Sequence, residues 1–252
     1  MLRFVERLFR VSCTFATLLS LLCCVSCDQR NNDNNTIIFA TCADYPPFEY
    51  YEDGKLVGFD VELAKLLAAK LGKTAVFKDM AYSAILMSLQ NGTVDAAIAA
   101  MSCSPERAQK FDCTGEYYKS GRSLLFKKWQ KVARLEDIKS GEKIACQLGC
   151  NDHKAHIAAK APTAEIVLID NINAAVEALN AGHVSYVYLD TYPAKTFCKK
   201  NSDLGSCEVA QDEYGYAICL KKCSALTVPL SQELSKAVDS GEVAELQQRL
   251  LS

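Results

Sequence analysis

No basic run interleaved with aromatic residues occurs in this sequence, and its 28 Lys and Arg are outnumbered by 30 Asp and Glu, for a formal charge of −2. Nucleic-acid binders carry the opposite signature, so no nucleic-acid partner is expected. The apolar stretch at 11–22 falls short of the ~20 residues that a membrane-crossing helix needs. Histidine is rare, with three in 252 residues, which leaves little material for an imidazole-rich metal centre. The cysteines beyond residue 27 never take the C-x-x-C spacing, so neither a zinc ribbon nor a thioredoxin-type motif is supported. Apolar residues are plentiful at 50% of the chain, ample for the core of one or two domains.

The first 27 residues stand apart. Arg3, Arg7 and Arg10 precede the apolar stretch, the pattern of an export signal over residues 1–26. Cys24-Val25-Ser26-Cys27 resembles a bacterial lipobox, with Cys24 where Leu is usual. Cys27 is therefore the expected lipidation site, and cleavage without lipid is the alternative. The polar run DQRNNDNN holds no core-forming side chain, so residues 27–35 read as a flexible tether. The expected location is the periplasm or cell envelope, with the membrane reached through the lipid.

Cysteine usage agrees with export to an oxidising compartment. Cys42, Cys103, Cys113, Cys146, Cys150, Cys198, Cys207, Cys219 and Cys223 remain after the signal and the lipidated Cys27 are set aside. Their odd number leaves at least one free or paired between chains. Cys198 and Cys207, flanking a polar loop, are the expected local disulfide; Cys103 reads first as a small buried residue, with Cys113 and Cys42 as alternative partners.

Beyond the tether, strand and helix signals alternate. Residues 36–42, 74–79 and 94–101 read as strands, separated by helices at 59–72 and 83–92. The same order returns as strands at 143–149, 165–170 and 184–190 with helices at 151–160 and 173–182. AILMSLQNGTVDAAIAA (84–100) aligns without gaps on AAVEALNAGHVSYVYLD (174–190), which sets Gly92 on Gly182 and Ala100 opposite Asp190. The fold class is α/β: two similar α/β lobes joined by a two-strand hinge. Residues 36–123 and 215–252 form lobe one, and 124–214 lobe two. GRSLLFKK (121–128) and YGYAICLKK (214–222) are the crossing segments, and 229–252 reads as two helices broken near Ser240-Gly241.

In open parallel sheets, ligands sit beyond the carboxyl ends of the strands. With two facing lobes those ends converge on one cleft, and closure about the hinge would bury what lies there. Cys42, Asp44 and Tyr45 follow the first strand; Ala99, Ala100, Met101, Ser102 and Arg107 follow the third; Tyr82 precedes the second helix. Lobe two contributes the turn from Gly149 through Cys150 and Asn151 to Asp152, and the strand-end Asp190. Arg107 offers a planar fork suited to a carboxylate. It stands in the first turns of a helix expected to start near Ser104, with Pro105 at a favoured early position. Asp190 offers an anion for an ammonium, and Tyr45 and Tyr82 can bracket a side chain. Together they describe a zwitterion, a free amino acid. Each alone has a plainer reading: Arg107 paired with Glu106 or Asp112, Asp190 capping the following helix, the tyrosines as packing.

The stretches ADYPPFEY (43–50), GKLVGFDVELAKLLAAKLG (54–72), LQNGTVDAAIAAMSCSPER (89–107) and DEYGYAICLKK (212–222) carry a resemblance over 37–250. The chain resembles the bacterial family 3 extracellular solute-binding proteins of amino-acid ABC importers. The resemblance implies a type II periplasmic binding protein fold and a monomer that delivers its ligand to a membrane permease, with no cofactor and no catalysis. It assigns Arg107, helped by Ser102 and the Ala100 backbone, to the ligand carboxylate, Asp190 to the ammonium, and aromatic roles to Tyr45 and Tyr82. Two departures stand out. Gly149-Cys150 replaces the usual Gly-Thr turn, and Cys42 stands where relatives that bind basic amino acids often carry an acid. A neutral polar side chain, glutamine or cystine, is therefore expected ahead of arginine.

Three rivals deserve statement. A dehydratase-like enzyme can share such a fold; it would need an acid–base pair, or a Cys150–His153 dyad. A metal-binding protein would use His153, His156 and His183, which otherwise read as surface residues. A ligand sensor would carry a signalling region after the lobes.

Overall fold

The computed structural model describes residues 35–130 and 132–251. The export signal, Cys27 and the tether up to residue 34 lie outside the described residues.

Short apolar strands alternate their side chains between two helical layers, and the result is two five-stranded sheets built to one plan. In the first, β1 (Thr36–Thr41) lies parallel between β5 (Thr74–Asp79) and β6 (Ala96–Ala97). Beyond β6 come β13 (Cys219–Lys221) and then β7 (Phe111–Cys113), with β13 antiparallel to both neighbours. In the second, β9 (Lys143–Gln147) lies parallel between β10 (Glu165–Ile169) and β11 (Tyr186–Asp190). Beyond β11 come β8 (Gly121–Lys127) and then β12 (Leu204–Gln211), with β8 antiparallel to both. The two strand orders correspond position by position. The second sheet uses five consecutive strands, β8 to β12, whereas the first takes β13 from beyond them, so the polypeptide crosses twice.

Helices cover both faces of each sheet, which is why the strands read as unbroken apolar runs. On lobe one, Ile37 and Phe39 meet Leu63 and Leu67 of α1 (Phe59–Lys70) and Leu230 and Leu234 of α7 (Thr227–Asp239). The alternate residues Ala40 and Ala97 meet Ile85 and Leu89 of α2 (Tyr82–Gln90). On lobe two, Leu125, Val187 and Leu189 meet α5 (Ile172–Asn180) and α6 (Thr191–Lys200). Leu124, Tyr186 and Tyr188 meet Ile157 of α4 (Asn151–Lys160). Each fully buried Leu, Ile, Val or Phe among these contributes about 1.5–3 kcal/mol relative to exposure. α3 (Pro105–Lys110) is one short helix between β6 and β7, and α8 (Glu242–Leu250) closes the described chain.

The internal repeat is visible in the element bounds: α2 and α5 begin at 82 and 172 and end at 90 and 180. Both turn off at a left-handed glycine, Gly92 (φ 68°) and Gly182 (φ 75°). The repeat breaks at its last strand. β11 runs to Asp190, whereas β6 stops at Ala97 instead of running through 101 as its composition predicts. Ala100 has φ 45°, and its N–H donates at 2.7 Å to Asp60 Oδ2 rather than to a strand.

β7 escaped the sequence reading, as did a small separate sheet and β12. The motif DYPPFEYYEDGKLVG forms a three-stranded sheet of β2 (Asp44–Tyr45), β3 (Glu49–Glu52) and β4 (Lys55–Val57). Gly58 ends it because a Cβ there would stand 2.2 Å from the Phe48 carbonyl oxygen. β12 was hidden by its polar, cysteine-containing sequence.

The expected Cys198–Cys207 bridge does not form. Cys198 packs with the α5/α6 side of the lobe-two sheet and Cys207 with the α4 side, so the sheet separates them. Among the described residues a disulfide instead joins Cys103, read first as an unpaired buried residue, to Cys113, with Cα atoms 6.4 Å apart.

Candidate functional site

The carboxyl ends of β1 and β9 and the residues after β6 and β11 face one another across a narrow cavity. Arg107 lies 9% exposed in its wall. Pro105 starts α3, Ser104 Oγ accepts from the Arg107 N–H at 3.4 Å, and so the guanidinium is set at the mouth of the MSCSPER turn. Its Nη1 donates to Ser102 O at 2.8 Å and Nη2 to the Tyr82 hydroxyl at 3.2 Å. Burial opposes its charge, but Tyr82 and Asp152 outweigh that and hold its pKa above the ordinary arginine value.

Asp190 stands opposite, 4% exposed. Its Oδ2 accepts from Tyr45 Oη at 2.8 Å and from Tyr216 Oη at 2.5 Å. Its Oδ1 accepts no hydrogen bond among the described residues and is met at 3.4 Å by His153 Nε2. Asp190 occupies the N-cap position of α6, yet its side chain makes no capping bond and is left to the cavity. A guanidinium and a carboxylate thus face one enclosed space from different lobes.

Between them a third side of the cavity is lined by Cys42, Asp44, Gln147 and Cys150. Asp44 Oδ2 accepts from the Ile172 N–H at 2.7 Å, and Oδ1 from Cys42 Sγ at 3.3 Å and Gln147 Nε2 at 3.5 Å. Burial pushes its carboxyl above the usual range. Glu49 is buried beneath, and desolvation and the neighbouring Asp60 push its carboxyl well up. Asp60 itself is pushed up by burial to about 6 while it holds the Ala100 N–H and the Tyr117 hydroxyl, the latter at 2.8 Å. Behind Asp190, Arg122 pairs with Asp212 and, at 3.0 Å, with Asp152.

Of the residues expected from sequence, Cys42, Asp44, Tyr45, Tyr82, Ala99, Ala100, Ser102, Arg107, Cys150 and Asp190 line this cavity. Three do not. Met101 is fully buried in the α2 layer beside Cys219, because the chain, kinked at Ala100, turns its side chain away from the cavity. Gly149 (φ 96°) forms the turn that meets Tyr82 and Ser83, where a Cβ would come within 3.2 Å, and its carbonyl accepts from Arg107 Nη2 at 3.5 Å. Asn151 is exposed in a neighbouring groove with Met87 and Ser104. The Ala100 N–H, expected to assist a ligand carboxylate, is already committed to Asp60.

Glu49, Gln147, His153, Asp212 and Tyr216 also line the cavity and were not picked out. Gln147 ends β9, so the strand-end rule reaches it; Glu49 lay in the quoted DYPPFE motif. His153, expected on the surface, is 6% exposed. No three His, Cys, Asp or Glu side chains converge as a metal site among the described residues. A Cys150–His153 dyad is absent from the hydrogen bonds: Cys150 Sγ donates to Gln147 Oε1 at 3.9 Å, and burial pushes its thiol well up.

The family profile of bacterial extracellular solute-binding proteins, family 3, matches residues 37–252. The chain belongs to this family. The binding protein is 29% identical over 245 residues to the arginine-binding extracellular protein ArtP of Bacillus subtilis, covering 92% of this chain and 96% of that one. It superimposes with a TM-score of 0.81 on an ancestral arginine-binding protein bound to arginine, at 30% identity over 86% of this chain and 99% of that one. A similar match, TM-score 0.80 and 26% identity over 87% of this chain and 96% of that one, is to an ancestral amino-acid-binding protein described as a precursor of cyclohexadienyl dehydratase. The family identifies a type II, two-lobed fold and a protein of amino-acid ABC import located outside the cytoplasm.

Proposed function

We propose that the protein captures one free α-amino acid with a polar side chain between its lobes, arginine ahead of glutamine and cystine, and presents it to an ABC permease. The observation that carries this reading is the pairing of Arg107 and Asp190 on opposing walls of one cavity. Arg107 takes the α-carboxylate and Asp190 Oδ1 the α-ammonium. Each charge-assisted bond contributes about 1.5–3 kcal/mol. A few of them, less the cost of immobilisation, suit a micromolar Kd of about −8 kcal/mol. Ligand favours the closed arrangement because only that arrangement makes both sets of contacts.

The side-chain preference rests on Asp44. The sequence pattern at Cys42 favours a neutral ligand, but Asp44 adds a desolvated carboxylate to that end of the cavity. A guanidinium there neutralises it, and the matched relatives named for arginine point the same way. We read the chain as a monomeric binding protein rather than an enzyme, anchored by lipid on Cys27. The test is calorimetry and thermal shift with arginine, lysine, glutamine, histidine and cystine. Arginine should raise Tm most. Arg107→Ala should lose at least 100-fold in affinity while keeping its circular dichroism, and retained affinity would sink the assignment.

A further inference from the structure

We propose that His153 and the ligand ammonium are alternative counter-ions of Asp190, so that ligand binding expels a proton from His153 and affinity falls in acid. This rests on the reading of Asp190 as the ammonium site.

The geometry comes from three elements. His153 sits in the first turn of α4, buried, and its Nε2 reaches Asp190 Oδ1 at 3.4 Å. The other carboxylate oxygen is fully used by Tyr45 and Tyr216, so Oδ1 alone is left for a cation. His153 and Asp190 both line the cavity, which places the imidazole edge and an incoming ammonium at the same oxygen. Two cations at one buried oxygen repel, and the one that can discharge by losing a proton is the imidazolium.

The surroundings bias the empty site towards the imidazolium. Burial disfavours the charge on His153, but Asp190 and Asp152 outweigh it and raise its pKa above the ordinary histidine value. Asp152, on the same helix, is held below the usual carboxylate range despite burial by His153, Arg107 and Arg122, so it stays anionic. Arg122, on β8, is a fixed opposing cation. Tyr188 of β11 presents its ring at 5.1 Å, edge to face, and its hydroxyl is taken by His156 Nδ1. His156 is pushed down by its own partial burial and by Arg122. Asp212, beyond β12, is the competing source of pH dependence: burial and Asp190 push it up to about 6. A ligand ammonium removes the attraction that raises His153, lowers its pKa and releases its proton by linkage. Association therefore strengthens as pH rises, by at most tenfold per unit, and levels off above the pKa of the free form.

The experiment is calorimetric titration with L-arginine from pH 5.5 to 8.5 in buffers of different ionisation enthalpy, together with NMR titration of the His153 ring. Up to one proton should leave on binding in the acid half of the range, with none by pH 8.5. Saturating arginine should lower the His153 pKa, as should Asp190→Asn in the free protein. H153Q should remove the proton release and the slope, whereas D212N should keep them. Slope retained in H153Q but lost in D212N, or a His153 pKa unmoved by arginine, overturns the proposal; the NMR result decides it in the wild-type chain if H153Q fails to fold. Absence of amino-acid binding at every pH would instead overturn the functional reading.

Discussion

Tyr45 and Asp190 exchange two hydrogen bonds across the cleft: the phenol donates to Oδ2 at 2.8 Å and accepts from the Asp190 backbone N–H at 3.0 Å. One residue belongs to β2 and the other ends β11, so the pair fastens one lobe to the other while orienting the carboxylate. Tyr45→Phe leaves the buried N–H unpaired, at a cost of about 1–3 kcal/mol. Calorimetry should show arginine affinity lower by about 5- to 100-fold, and an unchanged Kd would remove Tyr45 from the closing contacts.

Asp44 bridges the lobes in a different way, through Ile172 and Gln147. Asp44→Asn keeps an acceptor for the Ile172 N–H but removes the charge. The ratio of arginine to glutamine affinity should fall at least tenfold in competition binding. A ratio that stays put would transfer side-chain selection elsewhere in the cavity.

The Cys103–Cys113 disulfide closes a loop that contains Ser104 and Arg107. For so short a loop the contribution is about 2–3 kcal/mol. The double replacement by serine should lower Tm by roughly 5–10 °C, and should weaken arginine binding because the α3 start is released. Scanning calorimetry of the variant, with and without arginine, measures both; no loss of Tm would show that the turn holds itself.

Asp60 carries a raised pKa, from the ordinary 3.8 to about 6, so the folded state retains its proton to higher pH than the unfolded state. The stabilising contribution is complete below about pH 4 and is lost as pH rises through about 6, some 3 kcal/mol in all. Asp60→Asn stays neutral and can accept from both Ala100 and Tyr117. Urea unfolding should show the variant gaining on the wild type between pH 4.5 and 7.5. A constant difference would mean that Asp60 stays charged throughout.

The placement of Arg107 and Asp190 on one cavity was legible in the sequence because strand ends and a 90-residue repeat are patterns that survive folding. Met101 and the Ala100 N–H were misjudged because a kink at one residue, held by a carboxylate 40 positions away, redirects the chain. Glu49 and Tyr216 escaped because they reach the cavity from a hairpin and from a crossing segment, and periodicity says nothing of where such segments lie. His153 escaped for a related reason. Its helix was foreseen to the residue, but what buries it, Tyr188 and Asp190, belongs to a strand 35 positions downstream.

The late placement of β13 has a consequence for biogenesis. The sheet that begins with β1 lacks the strand between β6 and β7 until residues 219–221 arrive, nearly at the end of the chain. Without it β7 has no neighbour to pair with, and the layer formed by α7 and α8 is missing. The first lobe therefore cannot be completed as it emerges, whereas the second, built from the consecutive strands β8 to β12, has all its strands before β13 is made. For a protein of an extracellular family, that delay keeps the first lobe open, and so translocatable, until β13 has been made.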